Sequence, residues 1–134
     1  MNVLIDTQIL IWWQLNDAKL NANISALLAQ SENTIYVSQI SLIEIAIKQK
    51  LGKLTELDVP IQTLVELVEQ DGFTLLPVQI QHINAYADIP LFPEHRDPFD
   101  RLLLATALSE NVPIISADGN FEFYAGLIQV IRNT

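Results

Sequence analysis

His95-Arg96-Asp97-Pro98-Phe99-Asp100-Arg101 leads directly into Leu102-Leu103-Leu104-Ala105-Thr106-Ala107-Leu108. The stretch reads as a helix with a charged entrance and an apolar body. Asp97 suits the N-cap, because its carboxylate accepts from N–H groups that the first turn leaves unpaired. Pro98 suits the first helical position, where no N–H is needed. Asp100 falls in the first turn, near the positive end of the helix dipole. Two carboxylates and two guanidiniums therefore crowd the mouth of an apolar helix. Capping and dipole pairing account for both acids by themselves, so a larger role depends on what the rest of the chain brings to them.

Outward from this helix, short apolar runs alternate with helical segments. Met1–Ile5, Thr34–Val37, Phe73–Val78, Val112–Ser116 and Leu127–Ile131 read as five strands. Between them, helices are expected over Thr7–Leu15, Asn21–Gln30 with a cap at Asn23 or Ser25, Ser38–Leu51 ending at Gly52, Ile61–Gln70 and Gln79–Ala87. A proline-bearing loop covers 90–94, and Asp118–Tyr124 is a turn or short helix. Most strands are continuous apolar runs, which is the pattern of a parallel sheet covered by helices on both faces. No linker, repeat or low-complexity segment divides the chain, so residues 1–134 are expected to form one domain.

Composition narrows the chemistry. The chain has 134 residues, no cysteine and a net charge of −9. Thiolate metal sites and cysteine nucleophiles are excluded, and a reducing cytoplasm is compatible. No apolar run reaches the roughly 18 residues a membrane span needs. The first strand begins at once, which leaves no room for a signal peptide. Half of the residues are hydrophobic, which points to an extra buried surface such as a subunit interface. The overall charge argues against broad attraction to nucleic acid. The seven basic residues are not spread evenly, however: Lys48, Lys50, Lys53, Arg96 and Arg101 lie within ten residues of Glu44 or Asp100.

Ligand sites of parallel sheets form beyond the carboxyl ends of the strands. Asp6 directly follows the first strand, Asp118 follows the fourth, and Asp100 opens the helix before the fourth. Glu44 lies inside the third helix, in line with Ile40, Ile47 and Leu51, where a carboxylate in an apolar stripe needs something to satisfy it. Each acid also has an ordinary explanation: Asp6 as a cap, Glu44 in a capping box from Ser41 or paired with Lys48, Asp118-Gly119 as a turn. Together, four acids at one edge repel one another unless their pKa values rise or a cation joins them. Oxygen donors without cysteine suit Mg²⁺ or Mn²⁺, and His82 and His95 are too few and too far apart for a zinc pattern. Trp12 and Trp13 read first as core aromatics, with one of them available as an anchor for a partner.

Asp6-Thr7, the run 41–48 with Leu51-Gly52-Lys53-Leu54, Arg96–Ala107, and Ser116-Ala117-Asp118 with Phe121 and Tyr124 together resemble a PIN domain. More narrowly, the chain is similar to the VapC-like toxins of bacterial toxin–antitoxin pairs. The likeness spans nearly the whole chain in the expected order. It implies a three-layer α/β/α sandwich with a five-stranded parallel sheet, and metal-dependent endoribonuclease activity. It maps the acid quartet, catalytic and metal-holding, onto Asp6, Glu44, Asp100 and Asp118, with Asp97 as a cap and outer partner. It implies a Mg²⁺ or Mn²⁺ cofactor, an RNA substrate, a cognate antitoxin, a homodimer and a cytoplasmic location. Gln8 departs from the histidine or asparagine frequent in such toxins, which bears on substrate preference. Ser116 and Thr7 are expected to orient waters or carboxylates, and Arg96, Arg101, Lys48 and Lys50 to neutralise flanking phosphates. The competing reading is a non-catalytic metal-binding or interaction module of the same fold. A phosphoacceptor receiver fails because Asp6 stands alone, and a haloacid-dehalogenase-like phosphatase fails because Gln8 stands where a second aspartate is needed.

Overall fold

The computed structural model describes residues 1–134. Five strands, β1 (Asn2–Ile5), β2 (Thr34–Ser38), β3 (Thr74–Leu76), β4 (Ile114–Ser116) and β5 (Val130–Arg132), form one sheet in the order β3-β2-β1-β4-β5. Every pairing is parallel. The six helices are α1 (Thr7–Leu15), α2 (Ala22–Ala29), α3 (Gln39–Lys50), α4 (Ile61–Gln70), α5 (Ile80–Ala85) and α6 (Pro98–Glu110). Tyr86–Asp88 and Gly119–Tyr124 are 3₁₀ turns.

Alternation along β1 divides the core in two. Val3 and Ile5 join Ile9, Leu10, Leu28, Ile35, Val37, Ile45, Leu64 and Val68 on one face of the sheet. Leu4 joins Ile40, Leu103, Leu104, Ile114, Phe121 and Tyr124 on the other. Because β1 is central and its neighbours on both sides run parallel to it, the β1–α1 junction at Asp6 opens onto the middle of the sheet's carboxyl edge. The order also reverses between β2 and β4 around β1, which is where a crevice forms in such sheets.

Several elements are shorter than their sequence patterns. Val112 is not in β4, because its N–H closes the end of α6 onto the Ala107 carbonyl after Asn111 turns left-handed. Leu127 and Ile128 stay out of β5, because both N–H groups bond the Tyr124 carbonyl. β3 stops at Leu76, just before Pro77. The cap of α2 is Asn21, whose side chain accepts from the Ile24 N–H, not Asn23 or Ser25.

The expected apolar stripe around Glu44 is also not the one that packs inward. Ile40 is buried, but Ile47 and Leu51 are exposed together with Ile43. Glu44 is buried on the inner side of α3, and the outer side presents an apolar strip flanked by Lys50. Ile80, Ile83, Leu91, Phe123 and Leu127 are further large apolar side chains left at the surface. No helix is long and apolar enough to cross a membrane.

At the entrance of α6, Asp97 accepts from the N–H groups of Phe99 and Asp100 at 2.8 and 3.4 Å. Replacing Asp97 with Ala is expected to lower stability by about 1 kcal/mol in urea unfolding, and Asp97→Ser to restore most of it.

A carboxylate-lined cavity at the sheet edge

Each acid reaches the carboxyl edge for a local reason. Asp6 ends β1 and caps α1, its Oδ1 accepting from the Ile9 N–H at 2.9 Å. Asp118 leaves β4 and caps the following 3₁₀ turn through the Asn120 N–H at 2.9 Å, while its own N–H donates to the Ser116 hydroxyl. Asp100 lies one turn into α6. Glu44 projects from α3, where the Thr7 hydroxyl donates to its Oε1 at 2.8 Å and Lys48 Nζ stands 3.2 Å from its Oε2. Asp6, Glu44, Asp97, Asp100 and Asp118 line a single open cavity of 360 Å³, with Thr7, Gln8, Trp12, Lys48 and Ala117 completing its wall.

At two of the acids burial outweighs the compensating contacts. Burial pushes the Asp6 carboxyl up from 3.8 to about 7, against hydrogen bonds from the Ser116 side chain and the Ile9 N–H that pull it down. Asp100 and Asp118 add repulsion of the same sign as burial. Asp100 is raised to about 6, again chiefly by burial, with the His95 hydrogen bond opposing and the charges of Asp97 and Glu44 adding to it. The sequence pattern suggested crowding of like charges as the cause. Loss of water around the carboxylates is the larger effect, and repulsion comes second.

His95, not among the acids singled out in the sequence, also reaches the site. It is buried, with Nδ1 2.8 Å from the Tyr124 hydroxyl and Nε2 2.8 Å from Asp100 Oδ2. One donor atom from each of His95, Asp100 and Asp118 falls within 4.8 Å of the others. Its place five residues before Asp100 is the only signal in the sequence, and a pattern of paired histidines does not contain it. His82 lies elsewhere, bonded to Glu110 and to the Gln79 N–H.

Three of the four expected phosphate partners, Arg96, Arg101 and Lys50, are not in the cavity wall. Arg101 is buried and donates to the Phe92 and His95 carbonyls, so it holds the loop that carries His95. Lys50 lies on the outer strip of α3, away from the cavity wall. Arg96 is exposed and donates to the Pro93 carbonyl. Trp13 is half-buried against Phe73 and donates to Asp71, whereas Trp12 lines the cavity.

The donor set fits a hard divalent cation. Its atoms are carboxylate and hydroxyl oxygens, with His95 behind Asp100 and both of its ring nitrogens engaged.

Residues 3–127 match the family model described as PIN domain. No curated protein matches the chain. Among solved structures, the chain is similar to VapBC2 from Rickettsia felis bound to a DNA fragment from their promoter, at 19% identity and a TM-score of 0.70, over 98% of each chain. It is similar to VapBC-1 from nontypeable Haemophilus influenzae at 20% identity and TM-score 0.68, over 99% of this chain and 98% of that one. FitAcB from Neisseria gonorrhoeae gives 23% identity and TM-score 0.65, over 98% and 97%.

Because the Asp6 carboxyl is raised on folding, it contributes its full stability only below about pH 4 and loses it as pH rises toward 7. Without divalent cations, parent stability should therefore fall between pH 4.5 and 7.5. Asp6→Asn keeps the cap and removes this penalty, so it should be more stable than the parent at pH 7.5, by about 4 kcal/mol, and equal to it near pH 4. Urea unfolding in a chelator checks this, and a parent curve flat across the range would overturn the account.

Proposed function

Since the chain belongs to the PIN domain family, we propose that it is a Mg²⁺- or Mn²⁺-dependent endoribonuclease and the toxin of a toxin–antitoxin pair acting in the cytoplasm. The observation that carries the reading is the cavity itself, in which five carboxylates line the mouth of a parallel sheet and two are held above their ordinary pKa. Asp6, Glu44, Asp100 and Asp118 are the residues proposed to hold the cation and to be required for cleavage. When bound, the cation supplies an activated water and offsets the negative charge of the scissile phosphate.

The chain's own groups have separable tasks. Ser116 and the Ile9 N–H keep Asp6 aimed into the cavity, and Thr7 does the same for Glu44. His95 fixes the Oδ2 side of Asp100, and Tyr124 fixes His95. With the Tyr124 hydroxyl donating to Nδ1, Nε2–H donates to Asp100, which favours its charged form and leaves Oδ1 to the cavity. Lys48 brings positive charge to the rim, beside a substrate that is itself an anion. Single-stranded RNA suits an open cavity of this kind, because its bases and backbone are accessible.

The partners proposed are RNA, a cognate antitoxin and a second copy of the chain. The support for a protein partner is that structurally similar proteins are VapBC and FitAB complexes and that apolar side chains such as Ile43, Ile47 and Leu51 stand in solvent.

Purified protein with Mg²⁺ should cut single-stranded RNA and should stop cutting in EDTA. Asp6→Asn and Asp100→Asn should each lower the rate at least 100-fold while leaving the fold intact by circular dichroism. If both variants cut as well as the parent, the assignment is wrong. Intact RNA beside tight Mn²⁺ binding would select the non-catalytic module instead. His95→Gln should weaken Mn²⁺ binding, measured by calorimetry, by about 10-fold, as loss of a group that orients a ligand does.

A further inference from the structure

A second groove opens from the carboxylate cavity, and in its wall three lysines stand with two acids. Its volume is 390 Å³, and it shares Gln8, Trp12 and Lys48 with the cavity. Beyond Trp12 its wall includes Lys19 and Lys53. Three of the four lysines in the chain therefore face one groove of a protein whose net charge is −9. Neither Lys19 nor Lys53 is in an ion pair. The groove's acids are Asp17 and Glu56, and Asp17 Oδ1 is occupied by the Lys19 N–H at 2.9 Å.

Both lysines stand on fixed backbone. The turn after α1 is closed by the Asp17 N–H on the Trp12 carbonyl, and the buried Asn133 side chain donates to the Lys19 carbonyl. The loop after α3 turns at Gly52, with φ +71, and the Lys53 N–H returns to the Lys48 carbonyl at 2.9 Å. Further along, Gln49 donates to the Leu57 and Val59 carbonyls and anchors that loop. The other cations are placed differently: Arg101 is buried, Arg132 is 3.8 Å from Glu122, Arg96 is turned to Pro93, and Lys50 is on the far side of α3.

We propose that this groove is the path of the RNA strand flanking the scissile phosphate, with Lys19 and Lys53 on successive phosphates and Trp12 stacking on the base nearest the cavity. The inference rests on the nuclease reading and names where that substrate lies. Charge complementarity selects the occupant. A phosphodiester strand cannot settle beside five carboxylates unless its flanks meet positive charge, and along this surface that charge begins at Lys48 and continues past Trp12. A half-buried indole that lines both the cavity and the groove offers a stacking surface of the kind that binds single strands without reading sequence.

The experiment uses the full-length chain carrying Asp100→Asn, to prevent cleavage, and a fluorescein-labelled single-stranded RNA oligonucleotide read by anisotropy over a series of salt concentrations. Each phosphate contact on a single strand contributes about −0.7 to the slope of log affinity against log salt. Lys19→Gln with Lys53→Gln should reduce the slope by about 1.4 and weaken binding at low salt by 10-fold or more. Lys50→Gln, which removes one positive charge outside the groove, should leave slope and affinity unchanged. Trp12→Ala should weaken binding about 10-fold, and Trp12→Phe should keep most of it. An unchanged slope in the double variant, or an equal loss with Lys50→Gln, overturns the path and leaves the groove to a protein partner. The lysine effect is read from binding alone, so it survives if the parent proves not to cleave RNA. Conversely, cleavage abolished by Asp6→Asn alongside an unaltered lysine slope sinks only the path.

Discussion

The buried carboxylate of Asp6 is the constraint around which this molecule is arranged. It stands at the end of the central strand, where the sheet order reverses and where backbone N–H groups of α1 point outward. The Ile9 N–H and Ser116 offset part of the cost of burying it, and the remainder is expressed as a carboxyl held near 7. A buried anion that is only partly compensated is a standing demand for positive charge. The neighbouring acids increase that demand instead of meeting it. Lys48, the cation on the same wall, is paired with Glu44. A divalent ion answers the electrostatics and the donor chemistry together, which is why one cavity supports both the metal proposal and the nuclease proposal.

Holding such a cavity open requires rigid surroundings, and the entrance of α6 supplies them. Arg101, one turn into the helix, reaches back to the Phe92 and His95 carbonyls. That loop delivers His95, which is wedged between Tyr124 and Asp100 and packs against Phe121. Arg101 Nε is buried without a partner, so part of the guanidinium's bonding capacity is given up to keep this arrangement. The charged cluster thus divides by depth. Asp97 secures the helix start, Asp100 faces the cavity, and Arg101 and His95 fix the geometry from behind.

The surface around the cavity is equally divided by sign. Acids converge on one side of Trp12 and unpaired lysines on the other. A net charge of −9 therefore does not describe what a polyanion meets locally, because the carboxylates of the cavity are the groups a cation would neutralise and the lysines lie on the approach. The apolar strip of Ile43, Ile47 and Leu51 lies on a different side of α3, so occupation of that strip by another protein and occupation of the lysine groove are separate events on separate surfaces.

Much of this was legible from the chain alone. Alternating apolar runs and capped helices determined a parallel α/β sandwich, because strand burial on two faces and helix start signals such as Asp97-Pro98 are local properties. The position of Asp6 and Asp118 at strand ends was legible for the same reason. Element ends were less so, since Val112, Leu127 and Ile128 give their N–H groups to helix and turn carbonyls that a strand pattern does not reveal. The roles of Arg101, His95 and Lys50, and the inward turn of Glu44 away from Ile47 and Leu51, were decided only by tertiary structure. Each depends on which partner a long or buried side chain meets across the fold. Spacing along one helix fixes a residue's face, but not whether that face looks onto a core, a cavity or solvent.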